Sequence, residues 1–307
     1  MASFLDESGL DHVDLHQPGL RPADMVVLAF YLLLAALTVL HLPKLPHAAL
    51  MLGLDAFLVV YLVLLAPRPI KGSSRWITVL RLWYPVAFVL LAFVQLRDLV
   101  PAVNPFDADR TLIRLDAWLF GGQPSVWLQQ IHHPWLTELL QYVYSSFYFL
   151  PLILGIVLVA RRKLVIYDFF FFFICYGFFL SYLGYFFVPA IGPRFVIASH
   201  YEFPLRGVWF FQDMVNFTNL LESIHRDCFP SGHTMMTLAT LHFAFHHARK
   251  LFWIYLPVGI LLLFSTLYLR YHYGIDIIAG IIFYLFIIVT AKPLYQKFSR
   301  LTVPPPA

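Results

Sequence analysis

Charge and cysteine are both scarce in this chain. Only 12% of its 307 residues are Asp, Glu, Lys or Arg, roughly half the usual share, which excludes an ordinary soluble domain. The two cysteines, Cys175 and Cys228, are too few for a disulfide framework or a cysteine ligand set. A cleavable signal sequence is not expected either, because residues 1–24 carry five acidic side chains and no apolar core. No convincing cluster of metal ligands stands out in the sequence, so neither a metal nor another cofactor is expected. The net charge of +4 identifies no polyanionic partner, and nucleic acid is not expected as one.

Apolar residues make up 60% of the chain, with 31 Phe and 17 Tyr; the mean hydropathy is +0.74. Eight hydrophobic segments fall at roughly 25–42, 47–66, 77–97, 135–160, 165–188, 233–248, 252–270 and 274–294. Most approach the ~20 residues that a helix needs to cross a bilayer. Pro43 and Pro46 separate the first two, and Pro67 and Pro69 end the second. These runs predict an all-α integral membrane protein with about eight transmembrane helices. The expected division is a polar tail at 1–24, two transmembrane helices over 25–76, a catalytic membrane domain over 77–296 and a tail at 297–307.

The distribution of Lys and Arg sets the expected orientation. One side collects Arg21, Arg68, Lys71, Arg75, Arg81, Arg161, Arg162, Lys163, Arg249, Lys250, Lys292, Lys297 and Arg300. The other holds Lys44, Arg97, Arg110, Arg114, Arg194, Arg206, Arg226 and Arg270, mostly in two long loops. The first side, with its short basic loops, is expected to be cytoplasmic and to hold both termini. Loops 98–134 and 189–231 then lie outside or in a lumen, over one mouth, as substrate gates. In the first of them Leu112, Leu115, Trp118 and Leu119 share a face away from Arg110, Arg114 and Asp116, which predicts an interfacial helix.

The chemistry-bearing residues concentrate between Cys228 and Gly280. Cys228-Phe229-Pro230-Ser231-Gly232-His233-Thr234 opens one hydrophobic helix, and Tyr268-Leu269-Arg270-Tyr271-His272-Tyr273-Gly274-Ile275-Asp276 opens the next but one. Both histidines therefore fall at helix ends on the same side. His272 and Asp276 are four residues apart, so on a helix the carboxylate can reach the imidazole. A histidine held in this way serves as a nucleophile or a base. His233, at the mouth of a neighbouring helix, is placed to protonate a leaving oxygen. Ser231 and Gly232 precede a helix N-terminus whose amides and dipole form a phosphate cradle. Arg194, after Gly192-Pro193, and Arg270 add charge-assisted donors for phosphate oxygens. A single histidine at a membrane helix end is usually a satisfied interfacial residue. The Ser-Gly-His turn, the His-x-x-x-Asp pair and the arginine loop on one face together favour attack by His272 on phosphorus, with His233 protonating the departing oxygen.

The pattern Pro230-Ser231-Gly232-His233 followed by Ser265 and His272-x-x-x-Asp276 resembles the type-2 phosphatidic acid phosphatase and vanadium haloperoxidase superfamily over about residues 165–285. The resemblance implies a six-helix phosphatase-type catalytic bundle, here with two added N-terminal helices. It implies His272 as the nucleophile of a metal-free phosphohistidine mechanism, Asp276 as its orienting partner and His233 as general acid. Ser231 and Gly232 would bind phosphate. Two departures stand out. Thr266 follows Ser265 where the family usually has Arg, and only Gly192-Pro193-Arg194 remains of the first motif. His272-Tyr273 and the Leu115-Asp116-x-Trp-Leu-Phe-Gly stretch are closer to the inositol phosphorylceramide synthase and sphingomyelin synthase branch. That branch moves a phospho-headgroup to a lipid alcohol.

Other polar residues have blander expected roles. His242, His246 and His247 lack a Cys or carboxylate companion and are expected to form an interfacial polar cluster rather than a metal site. Asp55, near the middle of the second segment, is expected to have a partner in the bundle more than to line an ion path. Tyr142, Tyr144, Ser145, Ser146 and Tyr148 either line the headgroup cavity or bond between helices. Asp227 is a candidate to stand behind the reacting groups.

The expected function is phosphoryl or phospho-headgroup transfer from a lipid phosphate to a lipid alcohol, inositol phosphorylceramide synthase-like, at the outer or lumenal face. Hydrolysis of a phosphatidic acid or polyprenyl diphosphate type of substrate is the alternative within the class. A lipid transporter on a decayed catalytic fold is the alternative outside it. The expected partners are the lipid substrate, a lipid alcohol acceptor and membrane lipids.

Overall fold

The computed structural model describes residues 18–66, 68–70, 72–222 and 226–302. In chain order the helices are α1 (Pro22–Leu40), α2 (Ala48–Leu65), α3 (Arg75–Val103), α4 (Asp109–Phe120), α5 (Pro124–Trp127), α6 (Pro134–Ser145), α7 (Phe149–Ala160), α8 (Leu164–Phe187), α9 (Pro193–Val196), α10 (Phe211–Leu221), α11 (Gly232–His247), α12 (Arg249–Tyr268) and α13 (Gly274–Thr302). Short 3₁₀ turns join several of them. Proline opens α1, α5, α6 and α9 at a first-turn position, where its missing N–H leaves nothing unpaired.

Among the described residues, seven helical stretches are long and apolar enough to cross a membrane, counting Pro134–Ala160 as one. The protein is an all-α membrane protein. The eighth expected span is α11, whose 16 residues fall short of a bilayer's thickness. Its Thr, Met and His content fits burial among other helices better than contact with lipid. The last helix runs to Thr302 and takes Pro293 within it, so it extends past the expected boundary near residue 296. Residues 1–17 of the expected N-terminal tail and 303–307 of the expected C-terminal tail lie outside the described residues.

The chain divides into two compact units. The first comprises residues up to Val103, Val157–Phe179 and the part from Leu285 onward. The second comprises Asn104–Ile156 and Leu180–Tyr284, and holds every candidate catalytic residue. The first unit thus holds α1, α2 and α3.

The first unit is tied by buried charge. Arg21 pairs with Asp24 at 3.1 Å and with Asp168 at 3.0 Å, and donates to the Arg81 carbonyl. Arg81 pairs with Asp24 at 3.1 Å and covers the Leu65, Ala66 and Arg68 carbonyls, which the end of α2 leaves open. Tyr84 and Tyr295 donate to Asp24 and Asp168. Two of the basic residues counted for orientation are therefore buried structural ties. Breaking such a pair from one side typically costs about 3–5 kcal/mol, because a charge is left buried alone. Asp55 also has its structural partner, accepting from Gln95 Nε2 at 2.9 Å.

In the second unit α6 fixes α10 along its length. The Glu138 carboxylate accepts from the Val208, Trp209 and Phe210 amides at 2.7–3.1 Å, which closes the open start of α10. Gln141 and Ser145 meet Thr218 at 3.1 Å. Glu222, one residue past the end of α10, is thereby carried to Tyr144 and Tyr148 of the α6–α7 stretch.

Candidate active site

The site is built where α11 and α13 begin and α12 ends. Ser231 caps α11, and its Oγ accepts from the Thr234 amide at 3.2 Å and from the Thr234 hydroxyl at 3.1 Å. Its own hydroxyl hydrogen remains available to a ligand. Gly232 is packed so closely that a Cβ would stand 3.2 Å from Ser181 Oγ and 3.4 Å from Tyr185 OH. Gly280 allows the same intimacy on α13: a Cβ there would meet the Ser231 carbonyl at 2.7 Å. The Ser231 amide donates to the Asp276 carbonyl at 3.2 Å, joining the two helix starts.

His272 does not lie on a helix with Asp276. It sits in the turn between α12 and α13, and Asp276 is in the first turn of α13. The turn is held from behind by the Thr266 carbonyl, which accepts from the Tyr271 amide at 2.9 Å and the His272 amide at 3.1 Å. The Ser265 and Thr266 hydroxyls donate back into α12 at 2.6 and 2.7 Å, so they support the helix end rather than reaching for a ligand. Asp276 Oδ2 nevertheless reaches back to His272 Nδ1 at 3.3 Å and accepts from the Tyr273 amide at 2.8 Å. Burial pushes the His272 pKa down, but the bond to Asp276 and the nearby carboxylates outweigh it and hold the imidazole above its ordinary 6.5.

With Nδ1 on the carboxylate, His272 Nε2 is the free nitrogen, and it faces His233 Nδ1 at 3.5 Å. His233 is clamped between rings, with Tyr144 stacked at 4.5 Å and Phe147 at 4.3 Å between centroids. Its Nε2 stands 3.3 Å from Glu222 Oε1. Tyr144 and Tyr148 donate to the same carboxylate at 3.0 and 2.8 Å. Burial pushes the Glu222 carboxyl up, yet these bonds prevail and hold it below the ordinary carboxylate value. The groups form one line, Asp276–His272–His233–Glu222, with a carboxylate at each end. Asp227 lies near enough to feel it: burial first, and then the Glu222 charge, push its carboxyl up to about 7.

Cys228 belongs to this site, which the sequence did not reveal. Its thiol donates to Asp276 Oδ2 at 2.9 Å and lies 3.7 Å from His272 Nδ1. Cys228, His272 and Asp276 offer three ligand atoms within 4.8 Å of one another, spacing that a metal ion could use. Burial first, and then Asp276, push the thiol well above its ordinary value, so as a thiol it donates to that carboxylate; a metal would take it as the thiolate.

Two aspartates from α4 position the same turn. Asp116 accepts from the Gly274 and Ile275 amides at 2.8 Å, so it caps α13 from another helix. Burial pushes its carboxyl up to about 6 against those two bonds. Asp109 accepts from the Ile191 and Gly192 amides at 2.9 and 2.8 Å and from the Tyr273 hydroxyl at 2.9 Å. Gly192 has φ of 101°, and a Cβ there would press on the Tyr271 carbonyl at 3.0 Å. Glycine is required at that point.

That turn sets the start of α9, and Arg194 on it lays its guanidinium over the Tyr271 ring at 5.3 Å. Tyr271 in turn stacks on Tyr144 at 4.4 Å, one ring away from His233. Arg270 has φ of 66° and faces the loop at 201–203 instead, donating to the Phe203 carbonyl at 3.0 Å. Of the tyrosine and serine stripe, Tyr144 and Tyr148 reach the site, while Ser145 bonds across to Thr218 of α10 and Ser146 donates back to the Val143 carbonyl. His242 bonds Tyr284 at 2.6 Å and lies beside His246, as a polar cluster.

No match was found among curated proteins or among solved structures. A family model of the PAP2 superfamily matches residues 110–290, a stretch that includes Asp116, Arg194, His233, His272 and Asp276 but not Asp109, and with more than half of the chain covered the protein belongs to the PAP2 superfamily.

Proposed function

We propose that this protein transfers a phosphoryl or phospho-headgroup from a lipid phosphate through a phosphorylated His272, and that the acceptor is a lipid alcohol. Superfamily membership supports a lipid phosphatase or phosphotransferase type of activity on lipid phosphates. The observation that carries the mechanism is the orientation of His272: Nδ1 is engaged by Asp276 at 3.3 Å, and Nε2 faces His233 at 3.5 Å. Asp276 accepts the Nδ1 proton, which leaves the Nε2 lone pair free to attack phosphorus.

As the N–P bond forms, the bond from phosphorus to the lipid oxygen breaks and its electron pair goes to that oxygen. His233, protonated on both nitrogens and held by Glu222, gives the Nδ1 proton to it. The long contact between the two imidazoles is one that a phosphoryl oxygen can replace on entry. In the second half, His233 takes the proton from the acceptor hydroxyl, the acceptor oxygen attacks phosphorus, and His272 leaves. Ser231, Gly232 and the start of α11 cradle the non-bridging oxygens. Arg194 is the main clamp on their charge, and Arg270, whose guanidinium faces the 201–203 loop, is the second cation, adding its charge from beside the cradle. No step draws on a metal.

Transfer over hydrolysis is favoured by Thr266 in the place of an Arg and by the Leu115–Gly121 stretch, whose Asp116 caps α13. The reacting face is read as extracytoplasmic or lumenal, from the loop charges. The test is incubation of purified protein in EDTA with labelled phosphatidylinositol and with phosphatidic acid, each with and without ceramide. Headgroup appearing on ceramide supports transfer. Free phosphate alone, independent of ceramide, assigns hydrolysis, and loss of all turnover in EDTA with rescue by a divalent ion overturns the metal-free mechanism.

A further inference from the structure

Arg270 is 6% exposed, and its contacts use only part of its guanidinium. Nη1 donates to the Phe203 carbonyl, and the guanidinium carbon stands 3.8 Å from the centre of the Tyr201 ring. Nη2 is buried with no partner. Burial pushes the guanidinium pKa down, and the groups that oppose this are the Tyr201 and Tyr268 hydroxyls, not a carboxylate. A guanidinium does not discharge at working pH, so a buried one with idle N–H groups stays costly until an anion meets it. Its left-handed φ of 66° is also one that arginine seldom adopts, so the surrounding structure holds this residue in place against its local preference.

The same loop presents a second idle nitrogen. The His132 ring packs on the Phe203 ring at 4.6 Å between centroids, and its Nε2 is buried with no partner. Burial first, and then the Arg270 charge, hold His132 below its ordinary value against a bond to the Arg206 backbone. Arg194 and Arg270 thus differ in setting: the first lies over Tyr271, one ring from His233, and the second beside His132 and Phe203.

We propose that Arg270 and His132, which both meet Phe203, form a second anion subsite for an anionic group that the lipid substrate carries beside the phosphate reacting at His272. The position of the reacting phosphate rests on the phosphohistidine reading; the subsite itself does not. Arg270 and His272 lie two residues apart in the turn between α12 and α13, so the subsite adjoins the reacting centre. A lipid diphosphate, or a headgroup with a further acidic group, carries the second anion that these donors would meet, and a simple monophosphate does not.

The full-length protein in detergent tests this in two arms. In the first, inorganic pyrophosphate raises the unfolding temperature more than inorganic phosphate at equal concentration. Arg270→Gln and His132→Gln each remove that excess, while His272→Ala keeps it. In the second arm, kcat/KM is compared for diacylglycerol pyrophosphate and for phosphatidic acid with the same acyl chains. Both subsite variants lose at least tenfold more on the diphosphate than on the monophosphate. His132→Gln, at a half-buried loop position, carries both arms if Arg270→Gln does not fold. Equal shifts by the two anions, or an excess that survives the subsite variants, overturn the proposal. A pyrophosphate excess without a lipid preference assigns the pocket to a free anion and overturns the substrate-borne role. Normal lipid turnover by His272→Ala sinks the phosphohistidine reading, yet the anion shifts still decide the subsite.

Discussion

Glu222 Oε1 lies 3.3 Å from His233 Nε2, so the nitrogen left to exchange a proton at the reacting centre is Nδ1, which faces His272. Glu222→Gln keeps the shape and removes the charge that favours a doubly protonated His233. A fall in kcat of tenfold or more, about 1.4 kcal/mol, is expected. The deficit should shrink as pH falls and solvent protonates His233. A kcat that is unchanged across the pH range would take Glu222 out of the mechanism.

The raised pKa of His272 sets the acidic limb of the rate profile. The attacking nitrogen must be unprotonated, and its pKa lies above the ordinary 6.5. Activity in kcat/KM therefore falls as pH drops through a value higher than 6.5, not lower. Asp276→Asn removes the group that raises it and leaves burial, which lowers it. The limb should then move to lower pH while the rate at the plateau drops steeply. A limb that stays in place would show that another group sets it, with Asp227 the first to examine.

Arg194 lies over the Tyr271 ring, which stacks on Tyr144 beside His233. Arg194→Lys keeps the charge and loses the two-pronged geometry, with an expected rate loss of roughly tenfold, about 1.4 kcal/mol. Arg194→Ala should lose more, with the unfolding temperature unaltered. Near-normal turnover in Arg194→Ala combined with a dead Arg270→Ala would reverse the ranking of the two arginines.

His233, His272 and Asp276 were legible because each sits in a contiguous motif whose spacing alone brings it to a helix end. Asp116 and Asp109 were not, since they bond residues 158 and 164 positions away, and only the path of the chain joins them. Cys228 was visible as a residue but not as a partner of Asp276, because that contact depends on how two helix starts abut. Glu222 was hidden for a similar reason: α6 fixes α10 and so delivers the carboxylate to His233. The fold was easier to read, because hydrophobic length marks spans directly. At α11 the expected segment 233–248 and the helix Gly232–His247 differ by one residue at each end, and only its length sets it apart from the seven longer spans.

Asp116 is read as a positioning residue acting through the start of α13. Asp116→Ala removes two backbone acceptors at once, and the loss of such a cap costs about 0.5–2 kcal/mol. Thermal unfolding in detergent should show that loss, and kcat should fall with it because His272 and Asp276 flank the freed amides. Asp116→Asn, which keeps one acceptor oxygen but turns an NH2 donor towards the other amide, should recover at most part of either. Loss of activity with no change in unfolding temperature would point to direct contact with substrate instead.

The central claim is that phosphorus is bonded to His272 during turnover. The direct measurement is rapid acid-free quenching of the enzyme with a lipid labelled in its transferred phosphate, followed by mass analysis of the peptide carrying residues 271–276. The account predicts an acid-labile, base-stable phosphate on His272 Nε2, absent in His272→Ala, with Asp276→Asn nearly devoid of it and of turnover. Full turnover in a folded His272→Ala protein, or label on any other residue, would contradict it.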